Sequence, residues 1–391
     1  MLNTTNAQRI MNDLAPMLKA FREDLHRYPE LSWKEFNTTE KIHDALSKAG
    51  YSDLKRPLET GLIVDYVVDP EKPYVLMRAD IDALPIQDLK KVDYASQNVG
   101  VCHACAHDVH TTVMLGVALA VQQLQPQLKT NLRFVFQPAE EPIPSGAPEM
   151  VKAGVMEGVS HALGLHMEPS LPVGQVTLAP GFINMQSIRL DLTLEGNGGH
   201  SARPHETADL LWVASRIIQD GYGMMYRGLN HLDTTVILTF TEINAAQGYN
   251  VIPNELTLTG TLRLADPQKK EVAIERLKNL FSSLEEENNC RIHCKIKEGS
   301  PAIYNDPDLV RILDDRLQES FWHKMDVIKE HRTPGGDDFS HYSKRVPSAM
   351  IKFGSRTETM TASVHEGLFD VPSEAIQLAT EFFLHQVLAW E

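Results

Sequence analysis

Between Cys102 and His110 the chain reads Cys-His-Ala-Cys-Ala-His-Asp-Val-His, a segment crowded with side chains that bind metal ions or hydrogen-bond a ligand. A thiolate and a neutral imidazole two residues apart, at Cys105 and His107, can reach one divalent ion together. A helical pattern from Val113 to Leu124 follows at once, so the cluster leads into a helix N-terminus, where the dipole favours thiolate over thiol. Two other readings stand beside metal binding. Cys102 and Cys105 have the Cys-x-x-Cys spacing of a redox couple, and the histidines could be surface caps. Cys290 and Cys294 are poorly matched to complete a structural zinc site.

Further acids and histidines fall just after apolar runs. Asp80 and Asp82 follow Tyr74 to Met77, Glu140 and Glu141 follow Leu132 to Phe136, and His166 closes His161 to Leu165. In open α/β sheets, sites form outside the carboxyl ends of strands, so these runs would deliver their polar residues to one edge. Adjacent residues on an extended segment point in different directions. One of Glu140 and Glu141 can therefore bind metal while the other faces a water, which is the division that metal-assisted hydrolysis requires. An exposed acidic loop, which Pro142 would also suit, is the alternative.

The elements that must position these residues are legible as patterns. Leu14, Met17, Leu18, Phe21 and Leu25 mark one face of a helix near the N-terminus. Ser32 and Glu35 have capping-box spacing for the next helix, which Gly50 stops. The buried runs named above, with Ala349 to Phe353, alternate with helices and predict an α/β fold with a mixed, largely parallel sheet. From about Ser187 to Lys297 the texture changes. Ile188, Leu190, Leu192 and Leu194 alternate; a glycine-rich loop, a helix over Glu206 to Asp220, strands at Thr234 to Thr241 and around Leu256 to Leu262, a helix over Gln268 to Glu287 and a strand at Arg291 to Lys297 follow. That order is β-α-β-β-α-β, the ferredoxin-like arrangement. Residues 183–298 thus read as a domain inserted into a larger one made of residues 1–182 and 299–391.

The 391 residues carry a net charge of −15 and 42% hydrophobic residues, an ordinary globular balance without the basic cluster that nucleic-acid binding needs. No apolar run approaches the ~20 residues of a membrane helix. The N-terminal residues lack the apolar stretch of a secretory signal, and four Cys make no disulfide framework, so a reducing, cytoplasmic setting is expected.

The strings MRADIDALP, HACAHDVHTT, FQPAEE, GLHMEPSLPVG, GGHSARPH, NVIPNELTLTGTLR and HEGLFDVPSE run in order from the first half of the chain to the last. Together they resemble the amidohydrolase branch of the dinuclear-metal aminoacylase and carboxypeptidase superfamily, which includes hippurate hydrolases, indoleacetyl-amino acid hydrolases and N-acetyl-diaminopimelate deacetylases. The resemblance implies hydrolysis of the amide of a small N-acyl amino acid or similar conjugate. It also implies a zinc-peptidase-like catalytic domain, two divalent ions per subunit (manganese, zinc, cobalt or nickel) and a homodimer formed through the inserted lid domain. Cys105, His107, Glu141, His166 and His365 match the family's metal ligands, and Glu140 matches its general base. His200 resembles an oxyanion-stabilising residue, and Asn250 and Arg263 resemble groups that hold the substrate carboxylate. Asp337 and Asp338 resemble an acidic-Asp-Phe turn and read as supporting residues.

The chain departs from the family pattern in two places. Ala106 stands where the family has glycine, so either the backbone there needs no positive φ or the cluster is rearranged. Pro142-Ile143-Pro144-Ser145 replaces a glycine-rich segment and predicts a reshaped rim. The alternative to an enzyme is a protein of the same fold that binds metal and ligand without turnover.

Overall fold

The computed structural model describes residues 4–126, 128–230, 235–245, 248–319 and 325–390. They form two compact units. The first comprises Met1–Gly181, Tyr304–His331 and Asp338–Glu391, and the second Phe182–Ile303 with Arg332–Asp337. The short segment Arg332–Asp337 therefore groups with the second unit, although position in sequence assigns it to the larger domain. Among the described residues no helix is long and apolar enough to cross a membrane.

The first unit is built on an eight-stranded sheet. Its centre is four parallel strands in the order Asn131–Gln137, Tyr74–Asp80, Val159–Pro172 and Ser348–Arg356. Some outer strands pair antiparallel, Leu62–Tyr66 on Asn131–Gln137 and Gln175–Thr177 on Ser348–Arg356, which makes the sheet mixed and largely parallel as the apolar runs predict. Asn131–Gln137 is buried along its whole length, the mark of a strand covered on both faces. The helix His107–Leu124 is buried on nearly every side and packs against Thr4–Arg27 and Ser373–Leu388. Gly116 permits that approach: a Cβ there would lie 2.8 Å from Leu18 and 2.9 Å from Thr380.

The capping box does not form. Ser32 Oγ instead donates to Asp82 Oδ2 at 2.6 Å, and the helix Phe36–Lys48 is capped by Glu30, whose carboxylate accepts from the Asn37 and Thr38 N–H groups. Glu35 is buried and accepts from the N–H groups of Trp33 and Ala139 and from the Thr60 hydroxyl. The tertiary demand for these side chains outweighs the local cap.

The second unit has the antiparallel order Val236–Asn244, Glu255–Leu264, Gln186–Gly196, Cys290–Glu298, with helices Leu210–Gly228 and Lys270–Asn288. This is the ferredoxin-like arrangement. Ile188, Leu190, Leu192 and Leu194 face its core, as their alternation requires. The first helix starts at Leu210 rather than Glu206, because Asp209 accepts from Trp212 N as its N-cap. Thr234, placed by sequence in the second strand, lies outside the described residues.

Candidate metal centre

In the first unit, four of the parallel-sheet segments converge on one cluster. Cys105 Sγ lies 3.6 Å from His166 Nε2. His107 Nε2 is 3.9 Å and His365 Nε2 3.4 Å from the same oxygen, Glu141 Oε1. The ligand atoms of Cys105, His107 and Glu141 all lie within 4.8 Å of one another. His365 comes from a distant part of the chain and is anchored by its own N–H, which donates to the Ala104 carbonyl at 2.7 Å.

Hydrogen bonds aim two of the imidazoles. His107 Nδ1 meets the Asp82 carbonyl at 2.9 Å and its carboxylate at 3.1 Å, and His166 Nδ1 meets the Met167 carbonyl at 2.6 Å. These bonds place a ring proton on each Nδ1 and turn each Nε2 towards the cluster. For His107, burial is outweighed by Asp80 and Asp82, which raise its pKa well above the usual value, so a cation bound there would displace a proton from Nε2. Burial, with His110 and Lys352 nearby, holds the pKa of His166 down at about 3, so the ring is neutral and able to act as a ligand.

Asp80, His107 and His110 form a second compact group. His110, however, is fully engaged, with Nδ1 2.6 Å from Asp80 Oδ1 and Nε2 accepting from the Met167 N–H at 2.9 Å. The ligand-like groups are therefore those around Glu141. Asp80 and Asp82 sit behind them, and burial, which alone would raise both carboxyls, is outweighed by His107, with Arg78 and His110 acting on Asp80 and Ser32 on Asp82.

The donor set fits divalent cations. His107 Nε2 and Glu141 Oε1 are buried and have no hydrogen-bond partner, which is costly unless something else compensates them. Burial and the Glu141 charge push the Cys105 thiol well up, opposite to the effect expected from a helix N-terminus alone. A cation bound there would reconcile a thiol, a carboxylate and imidazoles gathered at this spacing. Cys102 is not among the converging groups. It is fully buried, burial pushes its thiol up to about 11, and all four cysteines are free, so it lacks the low-pKa exposure of a redox couple.

The backbone is strained at the cluster. Ala106 has φ 64° and ψ 22°, Ala139 before the two glutamates has φ 52°, and His365 itself has φ 65°. The left-handed conformation is thus required at position 106, and alanine adopts it with the ligands still converging. Strain of this kind concentrates where surrounding structure enforces a functional geometry. The loop carrying Glu140 and Glu141 closes through Gly146 N–H on the Ala139 carbonyl, and a Cβ at Gly146 would lie 1.8 Å from the Pro138 oxygen. Glu140 stands apart from Glu141, its Oε1 accepting from Asp338 N–H at 3.3 Å.

In the second unit, His200 and Asn250 are neighbours. The two-residue strands Gly199–His200 and Val251–Ile252 pair, and Ser201 N–H donates to the Asn250 carbonyl. Both side chains are exposed. His200 Nδ1 accepts from Ala202 N–H at 3.1 Å, so a neutral ring carries its proton on Nε2. Arg263, on the strand Glu255–Leu264, donates from Nη1 to the Pro334 carbonyl at 2.7 Å. Sequence reasoning misses the support behind the glutamates, namely Glu35, Arg78 and Gln137. The available signal is a charged residue, Arg78, inside an otherwise apolar strand.

The sequence profile of peptidase family M20/M25/M40 matches residues 76–388. The chain is 31% identical to an N-acetylcysteine deacetylase of Bacillus subtilis (strain 168), over 93% of each chain. It is 32% identical to an N-acyl-L-amino acid amidohydrolase of Geobacillus stearothermophilus, over 76% of this chain and 80% of that one. A solved dinuclear metal-binding peptidase of the M20 family from Bacillus subtilis superposes with a TM-score of 0.84 at 28% identity, covering 96% of this chain and 98% of the other. The chain belongs to peptidase family M20/M25/M40.

Proposed function

We propose that this protein is a metal-dependent amidohydrolase that cleaves the amide of N-acyl amino acids or similar small conjugates. Cys105, His107, Glu141, His166 and His365 hold two divalent ions, and Glu140 is the general base. The observation that carries this reading is the convergence of those five side chains with the unpartnered His107 Nε2 and Glu141 Oε1, while the adjacent Glu140 is held aside by Asp338 N–H.

Divalent ions held there would polarise the acyl carbonyl and bring the pKa of a water towards neutrality. Glu140 takes one proton from the attacking water as its oxygen bonds to the carbonyl carbon. It holds that proton and delivers it to the amide nitrogen as the C–N bond breaks, releasing a carboxylic acid and a free amine; the acid's remaining hydroxyl proton then passes to the amine, leaving carboxylate and ammonium. His200 Nε2–H is a donor for the oxyanion, and Asn250 and Arg263 are donors for the substrate carboxylate, which guanidinium binds bidentately.

A thiolate with imidazoles suits zinc, and the carboxylate also admits manganese, cobalt or nickel. The first unit is the catalytic domain and residues 183–298 the lid and dimerisation domain. Exposed Trp212 and Tyr226 on the helix Leu210–Gly228, and the strand Val236–Asn244 at the edge of its sheet, support a homodimer through that domain. A cytoplasmic setting suits a ligand set that depends on a free thiol.

The test is Glu140→Gln with metal measured alongside rate on a panel of N-acyl amino acids. Both ions should remain, and kcat should fall by about 10²–10⁴-fold. Near-normal turnover in the metal-replete variant would remove Glu140 from the role of base.

A further inference from the structure

Arg78 is fully buried in the middle of the molecule's first unit, on the strand Tyr74–Asp80. A guanidinium out of water costs several kcal/mol unless every arm is satisfied. Here each arm is directed to a different part of the site. Nη1 donates to Asp80 Oδ2 at 2.6 Å, Nη2 to Asp338 Oδ1 at 2.6 Å, and Nε to Gln137 Oε1 at 2.9 Å.

The Asp80 arm faces the ligands. Asp80 Oδ1 fixes His110, and Oδ2 lies 3.7 Å from His107 Nε2. The Asp338 arm faces the glutamate loop. Asp338 accepts from Gln137 Nε2 at 3.0 and 2.9 Å, just before that loop, and from Ala147 N–H at 2.9 Å, just after it. Its own N–H donates to Glu140 Oε1 within the loop. One carboxylate thus ties both ends of the loop and sets the peptide that holds Glu140.

We propose that Arg78 and Asp338 are positioning residues for Glu140, with the rigid guanidinium fork fixing the base relative to the histidines on the other side. The inference rests on the reading of Glu140 as general base. A base must be aimed at its proton, and a displacement of about 1 Å can cost about 10²-fold in rate. Arg supplies a planar fork that a flexible ammonium does not reproduce.

The experiment is a double-mutant cycle read on kcat, KM and metal content, with Asp338→Asn and Arg78→Lys each made in the wild-type chain and in Glu140→Gln. Each single variant should retain both ions and a KM within about twofold, while kcat falls about 10–100-fold. In the Glu140→Gln background the same substitution should change kcat by less than about twofold, because residues that act through one group are not additive. An equal loss in both backgrounds overturns the proposal, as does kcat of the single variants within twofold of wild type. Loss of metal or fold in both variants also overturns it, because the pair would then be structural. Were Glu140→Gln itself to keep its rate, the general-base reading would fail first, and the two failures are separable in the same data.

Discussion

The two units present their candidate residues in opposite ways. In the first, Cys105 and His107 are buried, His166 is half-buried and Glu141 has only 15% of its side chain exposed, with His365 the exposed exception at 52%. The second ring nitrogens of His107 and His166 are each fixed by a neighbour. In the second, His200 and Asn250 are exposed on a pair of two-residue strands, and Arg263 is held by a backbone carbonyl. Burial with unpartnered atoms marks a site that needs an ion to be satisfied. In the proposed function, the exposed donors of the second unit would meet their partner in the substrate. The first kind of site has its geometry assembled in advance, at the cost of strain at Ala106, Ala139 and His365.

The sharpest way to break that contrast is to remove the carboxylate shared by His107 and His365. Glu141→Ala should lose most of the bound metal, seen by elemental analysis, and turnover by more than about 10³-fold, because neither ion chemistry nor a held water survives. Full occupancy with normal rates would mean that the cluster is not the centre of the chemistry. His200→Ala is the matching probe of the second unit. Metal content should stay at the wild-type value while kcat falls about 10²–10³-fold, the usual cost of one lost oxyanion donor. A drop in metal content instead would merge the two classes of residue.

How much of this was legible in sequence follows from the same contrast. Tyr74–Asp80 and Asn131–Gln137 read as buried strands because strands covered on both faces are continuous in apolar residues. The acids that follow them then fall at one sheet edge, which is a local inference. What supports those acids is not local. Arg78 meets Asp338 260 positions away, and Glu35 meets Ala139 104 positions away, so no window of sequence contains either partnership. Ser32 and Glu35 show the converse error, since a cap motif with correct spacing is overridden when both side chains are needed deeper in the fold. For Cys105, the dipole of the adjoining helix alone would favour the thiolate, whereas burial and Glu141 decide the direction of its shift.

The smallest expected effect is at Ala106, and it sharpens the account of strain. The residue is fully buried with φ 64°, a conformation that costs a residue with a Cβ about 1–2 kcal/mol. Ala106→Gly relieves that strain but adds unfolded-state entropy, about 0.5–1 kcal/mol, and removes a buried methyl worth about 0.8 kcal/mol. These terms oppose one another at similar size. The variant should therefore unfold within about 1 kcal/mol of wild type in denaturant, with unchanged metal content and kcat. Glycine would then be the easier solution at this position but not a necessary one, because the His365 N–H on Ala104 and the burial of the whole turn hold the backbone in place. A gain in kcat or metal affinity of tenfold or more in Ala106→Gly would show instead that alanine holds the ligands off their best geometry.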